Sequence, residues 1–167
     1  MRSLQDWLDA YGHSHQNKTN KLIHWICVPV IFFNVIGLFA SIPHDFMSNA
    51  LASAECWCQP YIHFGTLVII LGLGFYVRLS ISMTVGMLLW SLFCLWGNEQ
   101  LSHLVIGGNP IALWQSSLFL FVLAWIGQFI GHKIEGEKPS FFEDLQFLMI
   151  GPAWLMSFIY KKVGISL

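Results

Sequence analysis

Trp125-Ile-Gly-Gln128-Phe-Ile-Gly-His132-Lys-Ile-Glu135-Gly-Glu-Lys-Pro139 closes the strongest hydrophobic run in the chain. Within it Gln128, His132 and Glu135 are spaced i, i+4, i+7. On a helix they share an arc of roughly 60°. An amide, an imidazole and a carboxylate on one stripe of an apolar helix need a reason, because polar groups at membrane depth are costly and usually face a bundle interior or a cavity. One reason is plain anchoring of a helix end at the interface. The other is a metal or substrate site, which needs further ligands from elsewhere in the chain.

Composition sets the solvent. The chain has 167 residues, 56% hydrophobic and 10% charged, with a mean hydropathy of +0.62, against about 25% charged residues in soluble domains. It reads as one integral membrane domain, residues 1–167. The formal charge of −1 and the lack of a basic run exclude a nucleic-acid partner. Asp6 and Asp9 stand where a signal peptide would be cationic, so insertion is expected to follow the first true span. Cys56 and Cys58 form a lone C-x-C, too sparse for a structural zinc site, and Cys27 and Cys94 sit in apolar runs as small hydrophobes.

Residues 3–12 predict a short amphipathic helix. Ser3 and Asp6 form a capping box, and Leu4, Trp7, Leu8 and Tyr11 make one apolar stripe. That stripe suits either the bilayer interface or packing on the bundle. After a polar hinge at 13–20, with Asn17 or Thr19 as cap, spans are expected at 21–42, 61–77, 81–96 and 111–134, joined by loops at 43–61 and 97–110. Neither loop contains Lys or Arg. With four spans, both loops lie on one side and all eight cationic residues on the other, which places both termini in the cytoplasm by the positive-inside rule. Ser140 and Glu143 suggest a second capping box, and Gly151-Pro152 interrupts the segment that follows. The expected fold is therefore all-α: a four-helix transmembrane bundle with an N-terminal amphipathic helix and a C-terminal interfacial or re-entrant helical pair at 141–160. Gly72, Gly74, Gly86 and Gly97 read as close-packing positions.

This topology sorts the seven histidines. His13, His15, His24 and His132 share the cytoplasmic side with Asn17, Asn20, Gln128, Glu135 and Glu137. Imidazoles suit iron, zinc or copper, and two or three histidines with a carboxylate suit non-haem Fe(II). Asn17, Asn20 and Gln128 are candidates to orient the imidazoles. A weaker external set comprises His44, His63, Glu99 and His103, for which solvation and ordinary hydrogen bonding are sufficient explanations.

Two blocks carry a resemblance to a known family. Tyr11-Gly-His-Ser-His15-Gln-Asn17-Lys-Thr-Asn20-Lys-Leu-Ile-His24-Trp-Ile-Cys-Val-Pro29 resembles the opening of the small membrane family of 2-hydroxy-fatty-acid dioxygenases, known from the fungal endoplasmic reticulum and from bacteria. The stretch from Trp125 to Pro139 resembles that family's second block. The resemblance implies an Fe(II)-dependent enzyme, with Zn(II) as a possible substitute, that uses O2 to cleave a 2-hydroxy fatty acid between C1 and C2. It implies a bacterial inner membrane, or the endoplasmic reticulum in a eukaryote. His15, His24 and His132 match the family histidines and are implied to be catalytic metal ligands. Glu135 matches less closely as the fourth ligand, and His13 falls outside the pattern. Lys133 and Lys138 are candidates to attract a substrate carboxylate, besides anchoring the span end. Other readings of the residues are a membrane haem protein, through histidines on facing spans, and a non-catalytic membrane scaffold.

Overall fold

The computed structural model describes residues 2–50, 58–136 and 148–167. Seven helices lie among them: α1 (Leu4–His13), α2 (Lys18–Ala40), α3 (Asp45–Ala50), α4 (Phe64–Val77), α5 (Ile81–Ser102), α6 (Leu113–Glu135) and α7 (Ile150–Val163). Three of these, α2, α5 and α6, are long and apolar enough to cross a membrane. Their outward faces carry large apolar side chains such as Leu22, Ile26, Leu89 and Phe119, each more than 60% exposed, which suits contact with lipid.

The expected second span is the shortest. α4 is apolar throughout, but its 14 residues rise only about 21 Å, less than the ~30 Å hydrocarbon core. α4 still packs between α2 and α5. The expected third span, by contrast, runs past Trp96 to Ser102. Gly97 and the polar residues after it look like a helix end, yet Asn98 is buried. Its amide donates to the carbonyls of Cys94, at 2.9 Å, and Phe33 on α2, at 3.0 Å. A tertiary partner thus sustains helix where local propensity would stop it.

The loops expected at 43–61 and 97–110 also hold more structure than expected. α3 occupies the first. In the second, β1 (Val105–Ile106) pairs antiparallel with β2 (Asn109–Pro110). Gly107 and Gly108 turn between them with φ of +60° and +82°, the two left-handed positions of a tight hairpin turn.

α1 forms where expected, with both halves of the Ser3–Asp6 capping box made. Its stripe packs inward: Leu4, Leu8 and Tyr11 are buried in the same core as Val28, Met87 and Trp154. α1 lies against α7, and α7 against α5 and α2. The Gly151-Pro152 pair, expected to interrupt the C-terminal segment, instead sits in the first turn of α7. Proline is tolerated there because its missing N–H would have no partner. Tyr160 on α7 donates to the carbonyl of Ser82 at 2.6 Å, and Tyr76 on α4 donates to that of Met149. α7 is thereby tied to the half of the bundle that carries the histidines. The other half of the expected helical pair, its capping box at Ser140 and Glu143, and Cys56, Glu137 and Lys138 all lie outside the described residues.

Of the glycines read as packing positions, three are. A Cβ at Gly72 would strike Met149, one at Gly86 would strike Tyr160, and one at Gly97 would strike Phe33, whereas Gly74 faces open space.

Candidate metal centre

α2 and α6 form the most extensive helix pair, and small residues on α6 let them close. A Cβ on Gly127 would come within 2.6 Å of Cys27 Sγ, and one on Gly131 would overlap Asn20 Oδ1 and lie 3.5 Å from His24 Cε1. This seam was not singled out from sequence. A spacing of four between glycines on α6, facing Asn20, His24 and Cys27 at similar spacing on α2, is the signal that marks it.

Across the seam stand His24 and His132, with ring centroids 5.2 Å apart and planes at 87°. His15 reaches them from the turn between α1 and α2, at 4.2 Å from His24 and 5.7 Å from His132. All three are buried, with exposures of 2%, 1% and 7% for His15, His24 and His132. One ligand atom from each lies within 4.8 Å of the other two, the one such His/Cys/Asp/Glu group among the described residues.

Their outer nitrogens are held by main chain. His15 Nδ1 lies 2.6 Å from the Tyr11 carbonyl, and His24 Nδ1 lies 3.0 Å from the Asn20 carbonyl. A carbonyl only accepts, so Nδ1 carries the hydrogen in both rings and Nε2 keeps its lone pair. His15 Nε2 is buried without a hydrogen-bond partner among the described residues. An orphaned acceptor of this kind costs about 1–3 kcal/mol unless a ligand takes it up. Burial also pushes the His15 imidazole below its ordinary value, which outweighs the stabilising Tyr11 carbonyl and keeps the ring neutral and able to ligate. The donor set therefore fits a divalent transition metal.

Aromatic rings hold His15 in place. Tyr11 stacks on it at 4.3 Å with 10° between planes, and Trp154 of α7 tilts against it at 5.5 Å. Tyr11 and Trp154 were not read from the sequence as site residues. An aromatic on an amphipathic stripe looks the same whether it packs on lipid, on core or on an imidazole.

The polar neighbours divide. Glu135 lies outside the three-histidine group. Its carboxylate accepts from the Gln16 N–H at 2.8 Å, from the Asn17 N–H at 3.0 and 3.1 Å, and from Asn20 Nδ2 at 2.9 Å. It ties the end of α6 to the turn that carries His15. Asn17 caps α2, its side-chain oxygen accepting from Thr19 N–H at 2.8 Å. Asn20 orients His24 through its backbone carbonyl rather than its side chain. Gln128 is buried one turn from His132, and its Oε1 has no partner among the described residues. His13 and Lys133 are exposed.

A cavity of about 40 Å³ adjoins the histidines, lined by His24, Val28 and Ile31 of α2 and by Trp125, Gln128 and His132 of α6. At the opposite end of the bundle His63 Nδ1 caps α4 by accepting from Thr66 N–H at 3.2 Å, with the His44 ring 6.0 Å away. His103 pairs with Glu99 at 3.1 Å. Capping and a surface ion pair account for that set.

The chain is 27% identical over 170 residues to the 2-hydroxy-palmitic acid dioxygenase MPO1 of Saccharomyces cerevisiae, covering 96% of this chain and 82% of the yeast protein. It is also 24% identical over 155 residues to the NADH-quinone oxidoreductase subunit N of Buchnera aphidicola, covering 90% of this chain but only 30% of that subunit. No solved structure matches. The family model described as 2-hydroxy-palmitic acid dioxygenase Mpo1-like matches residues 1–163, and on that match the chain belongs to the Mpo1-like family.

Proposed function

We propose that this protein is a metal-dependent dioxygenase of the membrane that shortens 2-hydroxy fatty acids by one carbon, with Fe(II) held by His15, His24 and His132. The observation that carries the reading is the buried trio of imidazoles, two with Nε2 set by carbonyls at Nδ1 and one of those an orphan. Family membership supplies the substrate class. A 2-hydroxy acid and O2 balance to a fatty acid one carbon shorter, CO2 and water, with no further reductant. Iron, when bound, would supply the electron exchange with O2 and a Lewis acid for the substrate's carboxylate and hydroxyl.

The chain's own residues do the rest. The two backbone carbonyls hold the imidazoles in one tautomer, Tyr11 and Trp154 fix the His15 ring, and Glu135 holds the turn that carries it. Glu135 is thus a positioning residue rather than a ligand. Burial keeps bulk water from the trio. Lys133, exposed at the end of α6, attracts the carboxylate of an arriving acid; Lys138 is assigned the same part. In the membrane α4 serves as a short fourth span, with both termini and the histidines on the cytoplasmic side, in the inner membrane of a bacterium or the endoplasmic reticulum of a eukaryote.

The test is metal analysis of anaerobically purified protein together with turnover of 2-hydroxypalmitate. Activity lost to a chelator should return with Fe(II) and not with Zn(II), and His24→Ala or His132→Ala should abolish both metal and turnover while His13→Ala leaves them intact. A Soret band, or full activity in both of those ligand variants, would overturn the proposal.

A further inference from the structure

The cavity is a slot along the α2–α6 seam rather than a pocket beside the histidines. On α2 its lining runs His24, Val28, Ile31, and on α6 His132, Gln128, Trp125, each a step of four and then three residues away from the histidine end. At a rise of 1.5 Å per residue these lining residues span about 10 Å of each helix. Val28, Ile31, Leu148 and Gly151 make its walls largely apolar.

Below the imidazoles Tyr11, Gln128 and Trp125 bring polar groups to that lining. Gln128 is 5% exposed, and its Oε1 is buried with no hydrogen-bond partner among the described residues. Buried side-chain oxygens in native proteins are paired in the large majority of cases. A bare acceptor in an apolar slot is therefore matched to a donor that arrives with the ligand. Resting on the function proposed above, a 2-hydroxy fatty acid places its polar end in this cavity at the histidines. Its carboxylate has no hydrogen to give. The 2-hydroxyl has one, and it sits where the headgroup passes into the chain, at the level of Gln128.

We propose that Gln128 is the residue that distinguishes 2-hydroxy fatty acids from unsubstituted ones, its side-chain carbonyl accepting a hydrogen bond from the substrate's 2-hydroxyl. Rejection arises in the way a buried polar site rejects an analogue that lacks its partner: palmitate leaves Oε1 unpaired and dry.

The experiment measures binding of 2-hydroxypalmitate and palmitate, under anaerobic conditions, to the Fe(II)-loaded full chain in detergent. The native protein and Gln128→Met, which keeps the length of the side chain and loses its acceptor, are compared, with metal content determined on both. The native protein should prefer the hydroxy acid about tenfold to a hundredfold. Gln128→Met should reduce the preference by weakening the hydroxy acid alone, with palmitate binding and metal content unchanged; what remains is the grip of the metal on the 2-hydroxyl. A variant that weakens both acids equally, that sheds metal, or that keeps the preference undiminished overturns the assignment. Should the variant fail to fold, 2-methoxypalmitate replaces it: with no hydrogen to donate, it should bind the native protein more weakly than 2-hydroxypalmitate, and binding as tight as 2-hydroxypalmitate refutes the role of Gln128. Binding is read apart from turnover, so two acids bound without discrimination condemn only this assignment, while neither acid bound condemns the functional reading with it.

Discussion

Replacing Glu135 tests whether a carboxylate beside three imidazoles is a latch or a ligand. Its oxygens take N–H donors from Gln16, Asn17 and Asn20 at 2.8–3.1 Å. These bonds span more than a hundred residues and bind the end of α6 to the turn in which His15 stands. Hydrogen bonds to a charged group are worth about 1.5–3 kcal/mol each when fully buried. Glu135 is only half-buried, water replaces part of what is lost, and the three donors share one carboxylate. We expect Glu135→Ala to release about 1–3 kcal/mol in total. Freeing the turn lets His15 leave the trio, so the cost appears in metal affinity as a loss of about tenfold to a hundredfold, the usual range for groups that hold ligands in place. Glu135→Gln keeps one acceptor oxygen but turns an amide N–H₂ toward backbone donors, and should fall between the native protein and Glu135→Ala. The assay is Fe(II) titration with a competing chelator, joined to X-ray absorption at the iron edge to count imidazoles. The expected result is weaker binding with the same three imidazoles and no change in the oxygen shell. Unchanged affinity in Glu135→Ala, or loss of an oxygen ligand, would refute the latch.

Two further outcomes follow from the same geometry. Gly131→Ala puts a methyl group against Asn20 Oδ1 and near His24 in the seam of α2 and α6. It should cost about 1–3 kcal/mol by overpacking and weaken metal binding, whereas Gly74→Ala, with nothing within 4 Å, should be neutral; thermal unfolding in detergent compares them. His15 titrates below its ordinary value of 6.5 because it is buried. A histidine depressed in the folded state contributes stability above its unfolded value and loses it as pH falls toward the folded one. The metal-free protein should therefore lose melting temperature progressively below about pH 6.5, and His15→Asn should lessen that fall without removing it. A native protein that melts at the same temperature at pH 7.5 and pH 5.5 would contradict this.

The membrane class, the N-terminal amphipathic helix and the starts of the long helices were legible in local signals: hydropathy, the Ser3–Asp6 capping box, Asn17 before α2. The meeting of His24 and His132 was legible too, because hydrophobic spans arranged up and down must return His132 to the level of His24; the choice of His15 over His13 came from the family resemblance. What escaped were features that depend on a partner. α5 outruns its local end because Asn98 finds the Phe33 carbonyl across the bundle. α1 chooses core over interface because α7 offers it Trp154.

Sequence by itself determined the solvent of this protein and the order of its helices, since hydropathy and helical period act residue by residue, and its resemblance to a family singled out the three imidazoles that meet. Only the tertiary structure decided how each polar group is used. Whether Glu135 ligates or latches, and whether the Gln128 carbonyl is satisfied or left bare, depends on which donors lie within about 3 Å. That distance is set by the approach of α2 to α6 at Gly131 and by a turn more than a hundred residues away along the chain.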